Sequence, residues 1–154
     1  MSFTIATSTR RQRPPLIGVC GTSRDDPSTD AIAERVGRLI ASRGGIVVCG
    51  GLGGVMAAAA RGAARGGGFS IGLLPGGNAD DAAADVSLAI PTGMGEMRNA
   101  LIVRACPVIG LDTWEIRPPG ARGADPGIQR ANTPDEAVAM AFAAVDRSAA
   151  STTR

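Results

Sequence analysis

The sequence predicts an α/β fold: a Rossmann-like, doubly wound and mostly parallel sheet with helices on both faces, in a single domain. Three observations support this prediction. The chain has 154 residues, which is enough for one domain with a buried core. Short apolar runs alternate with segments of helical periodicity, as they do in βαβ units. A Gly-Thr-Ser turn follows the first apolar run and a glycine-rich loop follows the second, at the sheet edge where such folds bind ligands.

The sequence pattern in the first half of the chain predicts three strands separated by two helices. The strands are short apolar runs, and glycines end both helical segments. The predicted strands are Leu16–Cys20, Ile46–Cys49 and Phe69–Leu74, and the predicted helices span about 28–43 and 54–65.

The first of these helices is amphipathic. We expect Ser28 to cap its N-terminus. Its apolar residues recur at i, i+4, i+7 and i+8, which places them on one buried face. They are Ile32, Val36, Leu39 and Ile40.

The second half continues the alternation after a polar stretch, 78–85, predicted to be a loop or short helix. Val86–Ile90 and Pro107–Leu111 are predicted strands, and Gly95–Ala105 is a predicted short helix. Thr133 is expected to cap a last helix, with Pro134 at its first position and Glu136 completing a capping box.

Both ends of the chain are polar and are expected to lie outside the packed domain. Residues 1–13 are rich in Ser, Thr and Arg, so we expect a disordered N-terminal tail, with a transit peptide as the alternative. The predicted domain spans 14–146, and 147–154 are predicted to form a flexible C-terminal tail.

The composition excludes several kinds of chemistry. The chain has no His and no Tyr, and its 16 basic residues are all Arg. A histidine base, a lysine Schiff base and a Walker-A lysine are therefore excluded, and no metal site is expected. The net charge of +2, one Trp and three Phe do not favour nucleic-acid binding, and no apolar run approaches the roughly 18 residues that span a membrane.

The three cysteines, Cys20, Cys49 and Cys106, are odd in number and lack metal-type spacing. Each lies in or beside an apolar run, so we expect buried free thiols. Free thiols favour a reducing, cytoplasmic environment.

A glycine loop between the second predicted strand and the next helix is the first candidate binding site. It contains Gly50, Gly51, Gly53 and Gly54, which would let a phosphate approach the backbone amides at the positive end of the helix. Met56 stands where the dinucleotide fingerprint needs a third glycine. The alternative is a tight turn whose glycines serve packing alone.

Other candidates surround this loop in the predicted sheet. Gly21 and Thr22 end the first strand at the same sheet edge, and Gly93 shapes the turn before the short helix. Arg98 lies one turn into that helix, where it could clamp a phosphate through two hydrogen bonds. The alternative for Arg98 is a solvated helix charge. Glu96 lies near the start of this helix, where its negative charge interacts favourably with the positive end of the helix dipole.

Three sequence blocks in this order are more specific than any one loop. The blocks are PLIGVCGTS, CGGLGGVMAAAARGA and PTGMGEMRNALIVRA, and the resemblance covers 14–111. DTWEI and TPDEAV agree further along the chain. This pattern resembles the Lonely Guy (LOG) family. It is most similar to the small bacterial branch once labelled lysine decarboxylases, which is related to molybdenum cofactor carriers. The absence of lysine contradicts the decarboxylase label.

The resemblance implies a nucleotide-binding homodimer. Better-known family members are phosphoribohydrolases, which convert cytokinin riboside 5′-monophosphate or AMP to the free base and ribose 5-phosphate. A relative in the bacterial branch carries the molybdenum cofactor. By resemblance, 50–54 is the family's glycine loop, Gly21 and Thr22 are its first-strand loop, Arg98 is its arginine, and Asn99 replaces its lysine.

One family segment is missing from this chain. After the short helix the family has a further strand, a Pro-Gly-Gly-x-Gly-Thr loop and a glutamate that works with the arginine. Here the helix runs directly into the strand at Pro107, so about two dozen residues are absent. Cys106 must make the turn because it precedes a proline. Of the remaining glutamates, Glu34, Glu96, Glu115 and Glu136, we expect only Glu96 near the site.

Three functional hypotheses follow. The first is a binding or carrier protein for a phosphorylated small molecule, with an AMP-like nucleotide or the molybdenum cofactor as a ligand that is not tightly held. The second is a phosphoribohydrolase with Arg98 as a catalytic residue, whose activity we expect to be weak or absent without the family glutamate. The third is a decayed paralogue with a structural or interaction role.

Overall fold

The computed structural model describes residues 13–111 and 129–151 and shows a five-stranded, fully parallel sheet in the order β4-β3-β2-β1-β5. The strands are β1 (Leu16–Gly21), β2 (Ile46–Cys49), β3 (Phe69–Leu74), β4 (Leu88–Pro91) and β5 (Val108–Leu111). The helices are α1 (Pro27–Ser42), α2 (Val55–Arg65), α3 (Asn99–Ala105) and α4 (Pro134–Ser151), with short 3₁₀ helices at Ala79–Asp81 and Gly95–Arg98. The predicted Rossmann-like fold is confirmed.

The strand order reverses beside β1. Strands β1 to β4 are added one after another in a single direction, and the chain then crosses back to pair β5 with the other side of β1. In open α/β sheets, the crevice at the carboxyl ends of the strands near such a reversal is the usual ligand site. The loops that follow β1 and β2 lie at this edge.

One face of the sheet carries the main core. Ile17, Val19 and Val47 point to this face and are fully buried beneath α1, α2 and α4. Helices α1 and α2 approach very closely because Gly37 and Gly62 lack side chains: a Cβ at either position would collide with the backbone of the other helix. This close contact explains the small residues in α2.

The opposite face is covered by α3. A Cβ on Gly18 would lie 2.8 Å from Val108 Cγ2 and 3.0 Å from Ile102 Cγ2, so α3 packs directly on β1. Farther along the same face, Phe69, Leu88 and Ile90 remain 44%, 46% and 39% exposed. Helices therefore flank both faces, as predicted, but they cover them unequally within the described residues.

The start and the buried face of α1 differ from the prediction. Ser28 is not the N-cap: the Asp26 carboxylate accepts hydrogen bonds from the N–H groups of Ser28 (3.4 Å) and Thr29 (3.3 Å), and Pro27 takes the first helical position. Ile32 is 43% exposed, because the face that meets α2 is built from smaller residues. The buried residues of α1 are Ala33, Val36, Gly37 and Ile40.

Smaller boundary differences have local causes. Strand β4 begins at Leu88 rather than Val86, because the Val86 N–H closes a turn to the Ala83 carbonyl at 3.0 Å. The predicted helix from Gly95 begins as a 3₁₀ turn and becomes α-helical at Asn99.

The tight junction before β5 is confirmed. Cys106 is extended, with φ −160° and ψ 162°, and the Pro107 carbonyl accepts the Gly18 N–H at 2.8 Å. The chain thus passes from helix to strand without a longer loop.

The last helix begins at Pro134 with Thr133 as its cap, as predicted, but the Glu136 carboxylate reaches one residue farther back than the predicted capping box requires. The Thr133 hydroxyl accepts the Glu136 N–H at 3.1 Å, and the Glu136 carboxylate accepts the N–H of Asn132 at 2.8 Å. Helix α4 continues past Asp146 to Ser151, where we expected the tail to have begun. Residues 1–12, the DTWEI stretch and Glu115 lie outside the described residues, and the domain limits stay predictions. No described helix is long and apolar enough to cross a bilayer.

Candidate functional site

The candidate site lies where the loops after β1 and β2 meet. The glycine loop 50–54 connects β2 to α2, and the backbone of the β1–α1 loop lies directly on it. A Cβ on Gly54 would come within 2.5 Å of the Thr22 carbonyl oxygen and 2.7 Å of the Arg24 carbonyl oxygen. Gly54 is therefore required by the protein's own backbone, which supports the packing alternative for this position.

Two glycines of this loop adopt backbone conformations that other residues avoid. Gly51 has φ 75° and Gly54 has φ 60°, both in the left-handed region. Gly53 has no positive φ, and a Cβ there would lie 3.3 Å from the Ser23 carbonyl oxygen. The loop is therefore closed on the Gly54 side and more open at Gly53.

The N-terminus of α2 has no side-chain cap of its own. The Val55 N–H donates to the Thr22 carbonyl at 3.1 Å, and the Gly54 N–H donates to Asp25 Oδ1 at 3.3 Å. Within residues 13–111 and 129–151, four further amides donate no backbone hydrogen bond and meet no side-chain cap. These amides belong to Leu52, Gly53, Met56 and Ala57. Free amides at a helix N-terminus favour an anion.

Arg98 points into the protein beside this loop. The residue is only 5% exposed, so the solvated-charge alternative is wrong. Its Nε donates to the Leu73 carbonyl at 2.7 Å and its Nη2 donates to the Gly50 carbonyl at 3.5 Å. A Cβ on Gly50 would lie 2.5 Å from Nη2, so the glycine makes room for the guanidinium. Arg98 thereby ties the end of β3 to the glycine loop.

The buried Arg98 charge has no direct carboxylate partner in the described part of the chain. Its Nη1 donates to Asn99 Oδ1, and Asn99 Nδ2 donates to Glu96 Oε2 at 3.3 Å. Burying a charge without a counter-ion is unfavourable. The environment of Arg98 therefore favours a bound anion. Although residues two apart on a helix do not face each other, Asn99 connects Glu96 to Arg98.

The structure gathers most of the predicted site residues at one sheet edge. Gly21 lies at this edge, against the start of α2: a Cβ on Gly21 would be 2.7 Å from Val55 Cγ2. Thr22 contributes its carbonyl, while its hydroxyl accepts the Arg24 N–H at 3.1 Å within its own loop. Gly93 is held elsewhere, by a hydrogen bond from its N–H to the Gly76 carbonyl at 3.0 Å.

Two consecutive aspartates lie at this edge that the sequence patterns did not predict as site residues. Asp25 meets the start of α2, and Asp26 caps α1. Hydrogen bonds from the hydroxyls of Thr29 and Ser28 hold the pKa of Asp26 below its ordinary value. The Asp-Pro pair was the available signal for Asp26, since Asp is a preferred N-cap and Pro favours the next position. No signal in the sequence pointed to the Asp25 contact.

The cysteines do not supply a nucleophile to this site. Burial raises the pKa of Cys49 to about 11 and that of Cys106 to about 11. Burial also raises the pKa of Cys20, although the nearby charge of Arg98 acts in the opposite direction. All three thiols are free; Cys49 is fully buried, as predicted, and the other two are partly buried. Protonated thiols are weak nucleophiles and weak metal ligands.

Two other glutamates have structural partners. Glu34 bridges α1 to α2 through Arg61 (3.0 Å) and Arg65 (2.5 Å), and these hydrogen bonds lower its pKa. Glu136 belongs to the cap of α4. Among the residues described, no three His, Cys, Asp or Glu side chains form a group that could hold a metal ion.

The fold and these loops agree with one known family. The model of the SLOG cluster4 family, which is related to LOG proteins, matches residues 14–111. The chain belongs to the SLOG cluster4 family. The match spans β1 to β5 and includes the glycine loop and Arg98, and it confirms the predicted resemblance.

Relatives of this chain include proteins that bind the molybdenum cofactor. An uncharacterized protein of Archaeoglobus fulgidus is 44% identical over 90 residues, which is 58% of each chain. The molybdenum cofactor binding protein of Rippkaea orientalis is 37% identical, with a TM-score of 0.62 over 64% of this chain and 63% of its own. The molybdenum cofactor carrier protein of Chlamydomonas reinhardtii is 31% identical, with a TM-score of 0.60 over 67% of this chain and 65% of its own. The chain thus spans less than two thirds of the length of each of these three chains.

Proposed function

We propose that this protein binds or carries a phosphorylated small molecule, with the molybdenum cofactor as the first candidate. The observation that carries the proposal is the pairing of free amides at the start of α2 with the buried cation of Arg98. Amides at a helix N-terminus and a buried arginine together favour a phosphate group. The carrier and binding functions of two structural neighbours support the same conclusion.

The residues of this chain fit the phosphate of such a ligand. The amides of Gly53, Met56 and Ala57 would donate hydrogen bonds to its oxygens, and Arg98 would supply positive charge from beneath the loop. When bound, the molybdenum cofactor supplies redox chemistry to enzymes, whereas a carrier only has to hold and release it. No further chemistry is required of the side chains at this edge.

The first experiment measures binding and compares Arg98, which ends the 3₁₀ helix, with Arg104 on α3. The wild type, Arg98→Met and Arg104→Met are titrated with isolated molybdenum cofactor, with AMP and with inorganic phosphate. Arg104 is exposed on α3, so its replacement removes the same charge away from the loop. Thermal shift and calorimetry report binding.

We expect at least one phosphorylated ligand to raise the wild-type melting temperature. A ligand at 100 times its Kd stabilises the fold by about 2.7 kcal/mol. Affinity should fall about tenfold or more in Arg98→Met and remain within about twofold in Arg104→Met. The proposal fails if no phosphorylated ligand binds the wild type, or if both variants behave alike. A response to AMP alone would favour a nucleotide over the molybdenum cofactor.

A phosphoribohydrolase remains the second candidate because Asn99 links Glu96 to Arg98. We still expect little turnover, since the Glu96 carboxylate is exposed and hydrogen-bonded to Asn99. Incubation with AMP and with a cytokinin ribotide tests this alternative. Robust release of free base that disappears in Arg98→Ala would make the protein an enzyme.

The homodimer implied by the family, the cytoplasmic location and the decayed-paralogue hypothesis also remain proposals. The exposed side chains of Phe69, Leu88 and Ile90 favour an interaction role, since large apolar patches often mark interfaces. Size-exclusion chromatography with light scattering would show a dimer, and a cooperative melt would count against decay.

A further inference from the structure

The carboxylate of Asp25 lies where the candidate site should accept an anion. Its Oδ1 accepts the N–H of Gly54, the residue immediately before α2, at 3.3 Å. We infer that Asp25 is a specificity residue: it acts as an internal anion at the start of α2 and competes there with a ligand phosphate for the Gly54 amide. This inference rests on the proposed function and deepens it.

The backbone that carries Asp25 is held in place. The Thr22 carbonyl accepts the Val55 N–H at 3.1 Å, and the carbonyls of Thr22 and Arg24 lie directly over Gly54. The Asp25 residue itself is exposed, and the Gly54 amide is its only hydrogen-bond partner in the described residues. Displacement therefore requires a side-chain rotation of Asp25 and no movement of the loop backbone.

The neighbouring aspartate is not displaced in the same way. The Asp26 carboxylate accepts four hydrogen bonds from Ser28 and Thr29, two from amides and two from hydroxyls, and is committed to the start of α1. Asp25 and Asp26 thus place two negative charges at two helix N-termini on one sheet edge. A small anion that gains only the amide contacts must overcome this repulsion.

A phosphate monoester can overcome it, because its oxygens can accept from several amides at once and its negative charge is also attracted by Arg98. The carboxylate therefore selects for ligands that engage both the amides and Arg98, and it weakens binding of smaller or singly charged anions. Removing the Asp25 charge should lower the stability of the unliganded protein while it raises the affinity for phosphate. Replacing a residue with a purely structural role would not both lower the stability of the unliganded protein and raise its affinity for phosphate.

The test compares the wild type with Asp25→Asn, which preserves side-chain size, and with Asp146→Asn as a control. Asp146 is exposed on α4, and its replacement changes net charge equally. The melting temperature is measured without ligand in phosphate-free buffer. The Kd for inorganic phosphate and for AMP is then measured by calorimetry below the lowest melting temperature, with Arg98→Met beside them.

We expect Asp25→Asn to melt a few degrees lower and to bind inorganic phosphate roughly three to ten times more tightly, with a smaller gain for AMP. Asp146→Asn should change neither quantity. Phosphate binding by Asp25→Asn alone, and not by the wild type, would also support the inference. Unchanged or weaker binding in Asp25→Asn, with wild-type binding lost in Arg98→Met, would overturn the inference and leave the proposed function standing. Absence of phosphate and AMP binding in every form would overturn the inference, and absence of molybdenum cofactor binding as well would overturn the proposed function.

Discussion

Helices α1 and α2 begin at the same edge of the sheet, yet their N-termini are finished in different ways. Helix α1 is capped by its own sequence: Pro27 starts it and the Asp26 carboxylate accepts two of its amides. Helix α2 starts after Gly54 with no side-chain cap, and the carbonyl of Thr22 and the carboxylate of Asp25 reach it from another loop. The first start serves stability, whereas the second leaves amides available at the expense of local stabilisation.

The two starts are nevertheless coupled, because one short loop serves both. The segment 22–26 covers Gly54 through its carbonyls, and its last residue, Asp26, caps α1. Substitutions at Gly54 and at Asp26 therefore test two sets of contacts independently: those that cover the start of α2 and those that cap α1.

Gly54→Ala should have the largest effect on stability. The new Cβ would meet the Thr22 carbonyl oxygen at 2.5 Å, and the backbone at φ 60°, ψ −133° is strained for any residue with a side chain. We expect a loss of about 3 kcal/mol in the free energy of unfolding, measured by urea denaturation. A loss below about 1 kcal/mol would show that the covering loop yields easily, and the contrast with α1 would weaken.

Arg98→Met should rank second. It leaves the carbonyls of Leu73 and Gly50 without their guanidinium donors, at a cost of about 1–3 kcal/mol in unfolding free energy. Arg104→Met, on α3, should change the unfolding free energy by no more than about 0.5 kcal/mol. Equal losses of unfolding free energy in both variants would mean that the hydrogen bonds from Arg98 to the carbonyls of Leu73 and Gly50 do not stabilise the site.

The sequence predicts the parallel architecture, the glycine loop and Arg98 because apolar periodicity and glycine spacing are local signals. It does not reveal what the glycines face. Gly54 lacks a side chain to admit the Thr22 and Arg24 carbonyls, and Gly50 lacks one to admit Arg98. A glycine that faces a ligand and a glycine that faces the chain itself have the same sequence signature, so only the folded contacts distinguish them.

The sequence prediction of the N-terminus and the buried face of α1 is wrong for a related reason. Ser28 and Asp26 are both good N-caps, and only the position of Pro27 at the first turn separates them. Hydrophobicity placed Ile32 inward, but the close contact at Gly37 with α2 rotates the helix so that Ala33 is buried instead. Tertiary packing therefore overrode a periodicity that was otherwise correct.

Asp26→Ala tests the α1 start and should lower the melting temperature by a few degrees at neutral pH. Because the pKa of the folded-state carboxyl is below its ordinary value of 3.8, its stabilising effect is present above that value. The effect is lost as the pH falls through the lower folded-state pKa. The difference between wild type and variant should therefore shrink in acid, in melts recorded from pH 7 downward. A difference that is independent of pH would mean that the ionised carboxylate is not what caps α1.

Gly53→Ala should have the smallest effect and is the matched partner of Gly54→Ala. A Cβ on Gly53 would lie 3.3 Å from the Ser23 carbonyl oxygen, a tight contact that a small shift relieves, and Gly53 has no positive φ. We expect a change within about 1 kcal/mol by urea denaturation. The two glycines are adjacent and receive the same methyl group, so the difference between their losses measures how much of the α2 start is covered by the β1–α1 loop. If Gly53→Ala is as damaging as Gly54→Ala, the loop covers both positions equally, and the amide of Gly53 is not open to a ligand.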